Sequence, residues 1–198
     1  PFAASLLGAY GLTAIVSLLV TGSLLWHICF KHVRATDTAV TVFGAVYVGF
    51  TLAHLVLIRE LDAGTELALA TVASVWANDT FAYLVGSAIG RHRMAPHISP
   101  KKSWEGFAAG TLFTTGVWVA VYYLTDTGLS LIWLVLVGLA ASVAAVVGDL
   151  AESRLKREAQ IKDSSGWLPG HGGFLDRFDS MILVSIVTYY MLVFAGAR

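Results

Sequence analysis

Six long apolar stretches, separated by polar segments, limit what this chain can fold into. They cover residues 5–30, 38–58, 65–90, 104–124, 129–148 and 181–197. An α-helix needs about 20 apolar residues to cross a bilayer, and backbone groups in lipid must find their hydrogen bonds within the helix. The pattern predicts an all-α polytopic membrane protein, a bundle of about six transmembrane helices with cytoplasmic polar loops. We expect one membrane-embedded domain over residues 1–198.

The composition supports a membrane location. Hydrophobic residues make up 57% of the chain and charged residues 13%, whereas about a quarter of the residues in soluble domains are charged. The net charge of zero argues against a general nucleic-acid-binding surface. Cys29 is the single cysteine, so it cannot form a disulfide framework, and we expect a buried thiol. The chain begins within an apolar stretch, so further N-terminal helices are expected before residue 1.

The positions of the basic residues predict the topology. Of the 13 lysines and arginines, all except Arg59 and Arg198 fall in the first, third and fifth loops. Because cytoplasmic loops carry the Lys/Arg excess, these loops should face the cytoplasm. The long polar segments 91–103 and 150–179 then emerge on one face, where they can form a single site.

The third apolar stretch carries an acidic side chain near its middle. Asp79 would be costly in lipid and should face a cavity or a polar partner on a neighbouring helix. Tyr83 follows it by four residues and shares its helix face. The spacing of Gly86 and Gly90 fits either close helix packing or a ligand contact.

The polar segment that follows has the features of a phosphate-binding turn. Pro100 favours extended backbone at Ser99, and Ser103 is placed to cap the next helix. Lys101 and Lys102 are point charges suited to phosphate, although lysines at a membrane surface are also ordinary anchors.

A polar helix face and a glycine-rich loop follow the fifth stretch. Asp149, Glu152, Ser153 and Lys156 are spaced to lie on one face of a continuing helix. The charged run up to residue 162 predicts a short interfacial helix. Residues 169–173 contain enough glycine for backbone N–H groups to surround an anion. Asp176 and Asp179 should open the last helix as a pair of oxygen ligands for Mg²⁺. Together these groups indicate phosphoryl or nucleotidyl transfer.

These residues closely resemble the signature of the phosphatidate cytidylyltransferase family, also called CDP-diglyceride synthetases. The match runs through Ser153-x-Leu155-Lys156-Arg157, Lys162-Asp163 and Leu168-Pro169-x-His171-Gly172-Gly173-Phe174-x-Asp176-Arg177-Phe178-Asp179. Blocks at 76–86, 98–106 and 148–149 extend the resemblance over residues 76–180. Residues 1–75 match only as generic membrane helices, and residues 181–198 would form the last transmembrane helix.

The resemblance implies that CTP and phosphatidic acid condense to CDP-diacylglycerol and pyrophosphate with Mg²⁺. A potassium ion and a homodimer are further properties that it implies. The expected location is a bacterial inner membrane, with the active site facing the cytoplasm. The implied catalytic residues are Asp149, Asp176, Asp179, Lys156 and His171, of which the three aspartates would bind metal. The implied substrate-binding residues are Asp79, Ser99, Lys101, Lys102, Arg157, Lys162, Gly172, Gly173 and Arg177.

Two other classes of membrane protein fit parts of the pattern. A lipid kinase that uses another nucleotide would need the same metal and phosphate groups. A cation-coupled transporter would explain Asp79 and Asp149, but it predicts an internal repeat and acidic groups at several depths. The sequence shows no such repeat, and its charges gather at one face.

Overall fold

The computed structural model describes residues 2–161 and 178–198, and predicted features on residues 162–177 lie outside that part of the chain. Over the described ranges the protein is mostly helical, with short connections and a two-stranded sheet. The elements in chain order are α1 (Phe2–Cys29), α2 (Ala35–Gly44), a π-helical turn (Ala45–Phe50), α3 (Thr51–Arg59), α4 (Gly64–Ile89), β1 (Arg93–Ala95), β2 (Ser99–Ser103), α5 (Trp104–Leu124), α6 (Leu131–Glu158) and α7 (Asp179–Phe194).

The helices coincide with the predicted apolar stretches, which confirms a polytopic helical membrane protein. α2, the π-helical turn and α3 follow one another directly and form one rod. Among the described residues, 4 helices are long and apolar enough to cross a bilayer: Tyr10–Cys29, Ala35–Arg59, Trp104–Leu124 and Leu131–Glu158. α4 has 26 residues but a more polar sequence, and α7 has 16.

The structure differs from the predicted all-α fold class at the third loop. β1 and β2 pair in an antiparallel hairpin, with Arg93 opposite Ser103 and Ala95 opposite Ser99. Proline restricts the residue before it to extended backbone, which favours a strand at Ser99 and Pro100. The sequence analysis predicted a turn here because the segment contains no alternating apolar residues.

The predicted short interfacial helix is not confirmed. α6 continues to Glu158 without interruption, so the charged residues after Asp149 extend a long helix. Residues 150–158 contain no glycine or proline and consist largely of good helix formers. A helix that continues past the apolar stretch places its polar face at one end of the bundle.

Serine caps fix where two of the helices begin. The Ser103 hydroxyl accepts a hydrogen bond from the Gly106 backbone N–H at 3.2 Å, and the Ser130 hydroxyl accepts one from Trp133 N–H at 3.4 Å. Each bond satisfies a donor that has no partner within the helix. The predicted helix start after Ser103 is therefore confirmed, and it places Glu105 in the first turn of α5.

Helices α4 to α7 form the centre of the bundle. α4 packs along α5, α5 along α6 and α6 along α7, while α3 packs against α7. The largest core cluster contains Ile58, Leu67, Trp118, Leu134 and Leu192. Contacts between these helices position the polar groups described below.

α1 lies at the edge of the bundle and packs against α2 and α3. Its contact with the core is made by Leu12, which clusters with Ala53 and Leu57. Cys29, predicted to be buried, is exposed. That prediction was wrong because a helix that packs along a single face leaves most of its apolar side chains on the surface.

Different loops meet at the two ends of the bundle. At one end the backbone N–H of Asp62, between α3 and α4, donates to the backbone carbonyl of Arg198. At the other end Lys102 of β2 contacts Asp149 of α6. The fold thus brings the third loop and the polar end of α6 together, as the topology predicted.

Candidate active site

A cavity of about 450 Å³ lies where α4, the hairpin, α5 and α6 meet. Its lining carries both signs of charge, with Asp79 and Asp149 on the helices and Arg93, Lys101 and Lys102 on the hairpin. A concave site with a few convergent polar groups is the usual form of a small-molecule site. We therefore take this cavity as the candidate active site.

An ion pair connects the hairpin to α6 across the cavity. The Lys102 ammonium lies 2.6 Å from Oδ2 of Asp149, and both side chains are mostly buried. The other oxygen of Asp149, Oδ1, accepts a hydrogen bond from the Ser153 hydroxyl at 3.2 Å. Both carboxylate oxygens are therefore engaged, which fixes the position of Lys102 in the cavity wall.

Asp79 lines the same cavity from α4. Its carboxylate has the buried Asn78 amide as a neighbour at 3.4 Å and the Ser180 side chain of α7 as a second partner. Tyr83, one turn further along α4, also lines the cavity, which confirms the shared helix face. Asp79 thus faces a cavity instead of lipid, in agreement with the sequence-based expectation.

Asp149 and Asp179 meet because α6 and α7 approach closely. A Cβ added to Gly148 would lie 2.7 Å from the backbone oxygen of Asp179, so a larger residue would not fit there. The Asp179 carboxylate accepts a hydrogen bond from Ser180 N–H at 2.6 Å. It also interacts electrostatically with Asp149 and Asp79. Carboxylates that repel one another in this way favour the binding of a cation near them.

These carboxylates fit a magnesium ion. Mg²⁺ in proteins is commonly held by one or two carboxylates, with substrate phosphates and waters as the other ligands. Asp149 and Asp179 supply two such groups. Considering residues 2–161 and 178–198 alone, no cluster of three or more side chains forms a complete metal site. Asp176, the third predicted ligand, lies outside the described residues.

A second ion pair on α6 involves a buried carboxylate. Glu152 is 1% exposed, and its Oε2 lies 2.8 Å from the ammonium of Lys156. The hydroxyl oxygen of Tyr47, in the π-helical turn, is buried, and Tyr47 interacts electrostatically with Glu152 and Asp179. π-helical turns occur often at functional sites. The ion pair holds the side chain of Lys156, a predicted catalytic residue, along the surface of its own helix α6.

The hairpin is fastened to α5 at its base. Glu105 lies 2.6 Å from Nδ1 of His92 and accepts hydrogen bonds from the His92 backbone N–H at 3.2 and 3.3 Å. The Arg93 guanidinium donates to the backbone oxygen of Lys101 at 3.1 Å. These contacts hold the strand that carries Lys101 and Lys102 against the cavity.

The structure brings together only part of the predicted site. Asp79, Ser99, Lys101, Lys102 and Asp149 line the cavity. Lys156 and Asp179 lie at the same end of the bundle but are not among the residues that line the cavity. Arg157 is exposed. The remaining predicted residues lie outside the described part of the chain: Lys162, His171, Gly172, Gly173, Asp176 and Arg177.

Sequence reasoning assigned no role to several residues of this region. The sequence placed Glu152 on the polar face of α6. Its position three residues after Asp149 could have indicated that it belongs to the site. Asn78 adjoins Asp79 and lines the cavity, as does Arg93. The sequence did not indicate a role for Tyr47, because its segment resembles a generic membrane helix. Its interaction with Glu152 and Asp179 depends on how the helices pack.

The chain is similar to proteins that act on phosphatidate. It is 38% identical over 149 residues to the phosphatidate cytidylyltransferase of Bacillus subtilis (strain 168), a match that covers 75% of this chain and 55% of the relative. It is 36% identical over 157 residues to that of Staphylococcus haemolyticus (strain JCSC1435), covering 79% of this chain and 60% of the relative. The chain thus spans between 55% and 60% of the length of these two curated relatives.

The match to the family covers almost the whole chain. Residues 3–195 match the cytidylyltransferase family, so the similarity extends beyond the signature at residues 153–179 and includes the first helices. The chain belongs to the cytidylyltransferase family.

Proposed function

We propose that this protein is an integral membrane nucleotidyltransferase that condenses CTP with phosphatidate to give CDP-diacylglycerol and pyrophosphate. The observation that carries the proposal is the cavity where the cationic hairpin meets Asp79 and Asp149 at one end of an apolar helical bundle. The family and the names of its relatives support a cytidylyl group as the group that is transferred. A membrane location suits a substrate whose acyl chains remain in the bilayer.

The reaction exchanges one phosphorus–oxygen bond for another. A phosphate oxygen of phosphatidate attacks the α-phosphorus of CTP, and the bond from the α-phosphorus to the bridging oxygen of the β-phosphate breaks. Pyrophosphate leaves with the electron pair of that bond. The protein needs no covalent nucleophile, because in phosphoryl-type transfer it acts mainly by positioning the reactants and stabilising charge.

The described residues divide into two roles in this proposal. Lys101 and Lys102 hold the phosphates, and Ser99 supports them from the same strand. Asp149 and Asp179 would hold Mg²⁺, which would supply positive charge to neutralise the phosphate oxygens. Asp79 lines the same cavity as Asp149 and would add a negative charge beside the cation. Lys156 contributes a further positive charge at the end of α6, where negative charge builds up as pyrophosphate leaves.

We infer six crossings for the chain, with the active site on the cytoplasmic side of a bacterial inner membrane. The excess of Lys and Arg in the first, third and fifth loops supports this orientation. The contact between Asp62 and Arg198 supports it as well, because the second loop and the C-terminus then share the opposite side. CTP reaches the site from the cytoplasm, and phosphatidate enters from the bilayer.

Incubation of the purified protein with phosphatidate, Mg²⁺ and a single nucleotide tests the proposal. CTP should support release of pyrophosphate that depends on phosphatidate, and ATP should not. Release of ADP with ATP would instead indicate a lipid kinase. Failure to turn over either nucleotide, together with cation-driven uptake into vesicles, would favour a transporter. An Arg198→Gln variant, changed at the opposite end of the bundle, is the matched control and should retain the activity.

A further inference from the structure

A line of buried hydroxyl and amide groups crosses three helices below the cavity. Ser142 of α6 is 0% exposed and Asn78 of α4 is 2% exposed. The Ser142 hydroxyl donates to Oδ1 of Asn78 at 3.1 Å and lies 2.7 Å from the hydroxyl of Thr111 on α5. At the other end, Nδ2 of Asn78 donates to Oδ1 of Asp79 at 3.4 Å. Asn78, Ser142 and Thr111 have no role in the reaction as described above.

The hydrogens in this line point toward Asp79. The side-chain oxygen of Asn78 can only accept a hydrogen bond, so the Ser142 hydroxyl must donate its single hydrogen to it. Ser142 must then accept from Thr111, whose hydrogen is shared with the backbone oxygen of Phe107 at 2.9 Å. The opposite orientation of the Asn78 amide would set two acceptors, Oδ1 and the Asp79 carboxylate, against each other. Hydrogen bonds that share one direction strengthen one another.

The amide of Asn78 is confined by the neighbouring helix. A Cβ added to Gly110 of α5 would lie 2.7 Å from Oδ1 and 3.0 Å from the backbone oxygen of Asn78. The backbones of α4 and α5 therefore meet closely at this level only because Gly110 has no side chain. Such tight packing leaves the amide little freedom to rotate, so its direction is set by the fold.

We propose that Thr111, Ser142 and Asn78 are positioning residues that hold the Asp79 carboxylate in its place at the cavity wall. The inference rests on the proposed function, because Asp79 is assigned there beside the metal and phosphates. Of the three, Asn78 lines the cavity beside Asp79, whereas Thr111 and Ser142 are not among its lining residues. All three act through Asp79, which connects the packing of α4, α5 and α6 to the geometry of the site.

One turn along α5, Thr114 provides a matched control. Its hydroxyl donates to the backbone oxygen of Ser74 on α4 at 3.1 Å, and it is 1% exposed. Thr111→Val and Thr114→Val each replace a hydroxyl by a methyl group at nearly constant shape. Both remove a hydrogen bond made by α5 to a neighbouring helix, but only Thr111 belongs to the line that ends at Asp79.

The test measures each valine variant in the wild-type protein and in an Asp79→Asn background. Thr111→Val should lower kcat/KM for CTP by about 3- to 10-fold, the range that loss of one hydrogen bond allows, and by clearly less in Asp79→Asn. Thr114→Val should change both backgrounds by the same factor, and Thr111→Ser should restore the wild-type value. An equal loss from Thr111→Val in both backgrounds would overturn the proposal.

A second measurement does not depend on activity. It compares the midpoints of thermal unfolding in detergent for four proteins: the wild type, Thr111→Val, Asp79→Asn and the double variant. Thr111→Val should lower the midpoint more in the wild-type protein than in Asp79→Asn, because a charged acceptor strengthens the line. Coupling in the unfolding midpoint without CDP-diacylglycerol formation would retain the positioning role and reject the proposed function. Activity without coupling in either measurement would reject the positioning role alone.

Discussion

The ammonium of Lys102 lies 2.6 Å from the carboxylate of Asp149, and this contact joins the hairpin to the end of α6. The two residues are 47 positions apart in sequence and belong to opposite groups in the proposed mechanism. One holds phosphate and the other holds metal. Their contact places the two groups side by side at one end of the bundle.

Lys102→Gln should reduce cytidylyl transfer by about 100-fold or more, because a charged contact to the transferring phosphates is lost. Lys102→Arg should retain part of the activity, since it keeps the charge but changes the geometry. Initial rates at several CTP concentrations measure both effects. Lys31→Gln removes a lysine of the first loop, far from the cavity in the chain, and should leave the rates unchanged. Comparable rates for Lys102→Gln and Lys31→Gln would contradict the role of Lys102.

Gly148→Ala should force α6 and α7 apart. The added Cβ would lie 2.7 Å from the backbone oxygen of Asp179, and overpacking of this kind costs about 1–3 kcal/mol. We expect a lower unfolding midpoint and an activity loss of about 10-fold or more, since Asp149 and Asp179 move relative to each other. Gly116→Ala on α5 is the control, because its Cβ would meet nothing within 4 Å. A variant at position 148 as stable and active as the one at 116 would refute the close contact.

Glu152→Gln should destabilise the protein markedly, because it removes the buried charge opposite Lys156. Breaking a buried ion pair on one side costs about 3–5 kcal/mol. The exposed pair of Arg154 and Glu158 has the same spacing on the same helix, so Glu158→Gln should have little effect. Thermal unfolding in detergent compares the two. Equal midpoints would contradict a stabilising role for the ion pair of Glu152 and Lys156.

Labelling of single cysteines tests the orientation in the membrane. In a Cys29→Ser background, His97→Cys introduces a thiol in the hairpin turn, and Asp126→Cys introduces one between α5 and α6; both positions are exposed. An impermeant maleimide added to intact cells should label only the position 126 variant. Labelling only of the position 97 variant would invert the topology, and labelling of both would reject the helix count between them.

The sequence was sufficient to predict the helices and to place the third loop and the end of α6 at one end of the bundle. Apolar length defined the segments, the Ser103 cap defined the start of α5, and the Lys/Arg counts grouped these two polar segments. These features are local, so each can be recognised within one segment. Asp79 was also predictable, because an acidic side chain within an apolar stretch needs a polar environment.

The remaining features depend on which segments touch. The pairing of Lys102 with Asp149, the electrostatic interaction of Glu152 with Tyr47 and the line from Thr111 to Asp79 each join residues from different segments. Threonine and serine within an apolar helix commonly bond to their own backbone, so Thr111 and Ser142 carried no signal. The hairpin was missed because Pro100 and two lysines look like a turn when no pairing strand is known.

The fate of labelled phosphorus in CTP tests the proposed reaction most directly. The purified protein is incubated with phosphatidate, Mg²⁺ and CTP labelled either at the α- or at the γ-phosphorus. The α-label should appear in the lipid and the γ-label in pyrophosphate, in equal amounts, and an Asp149→Asn variant should form neither product. Transfer of the γ-label to the lipid would contradict cytidylyl transfer and indicate a kinase.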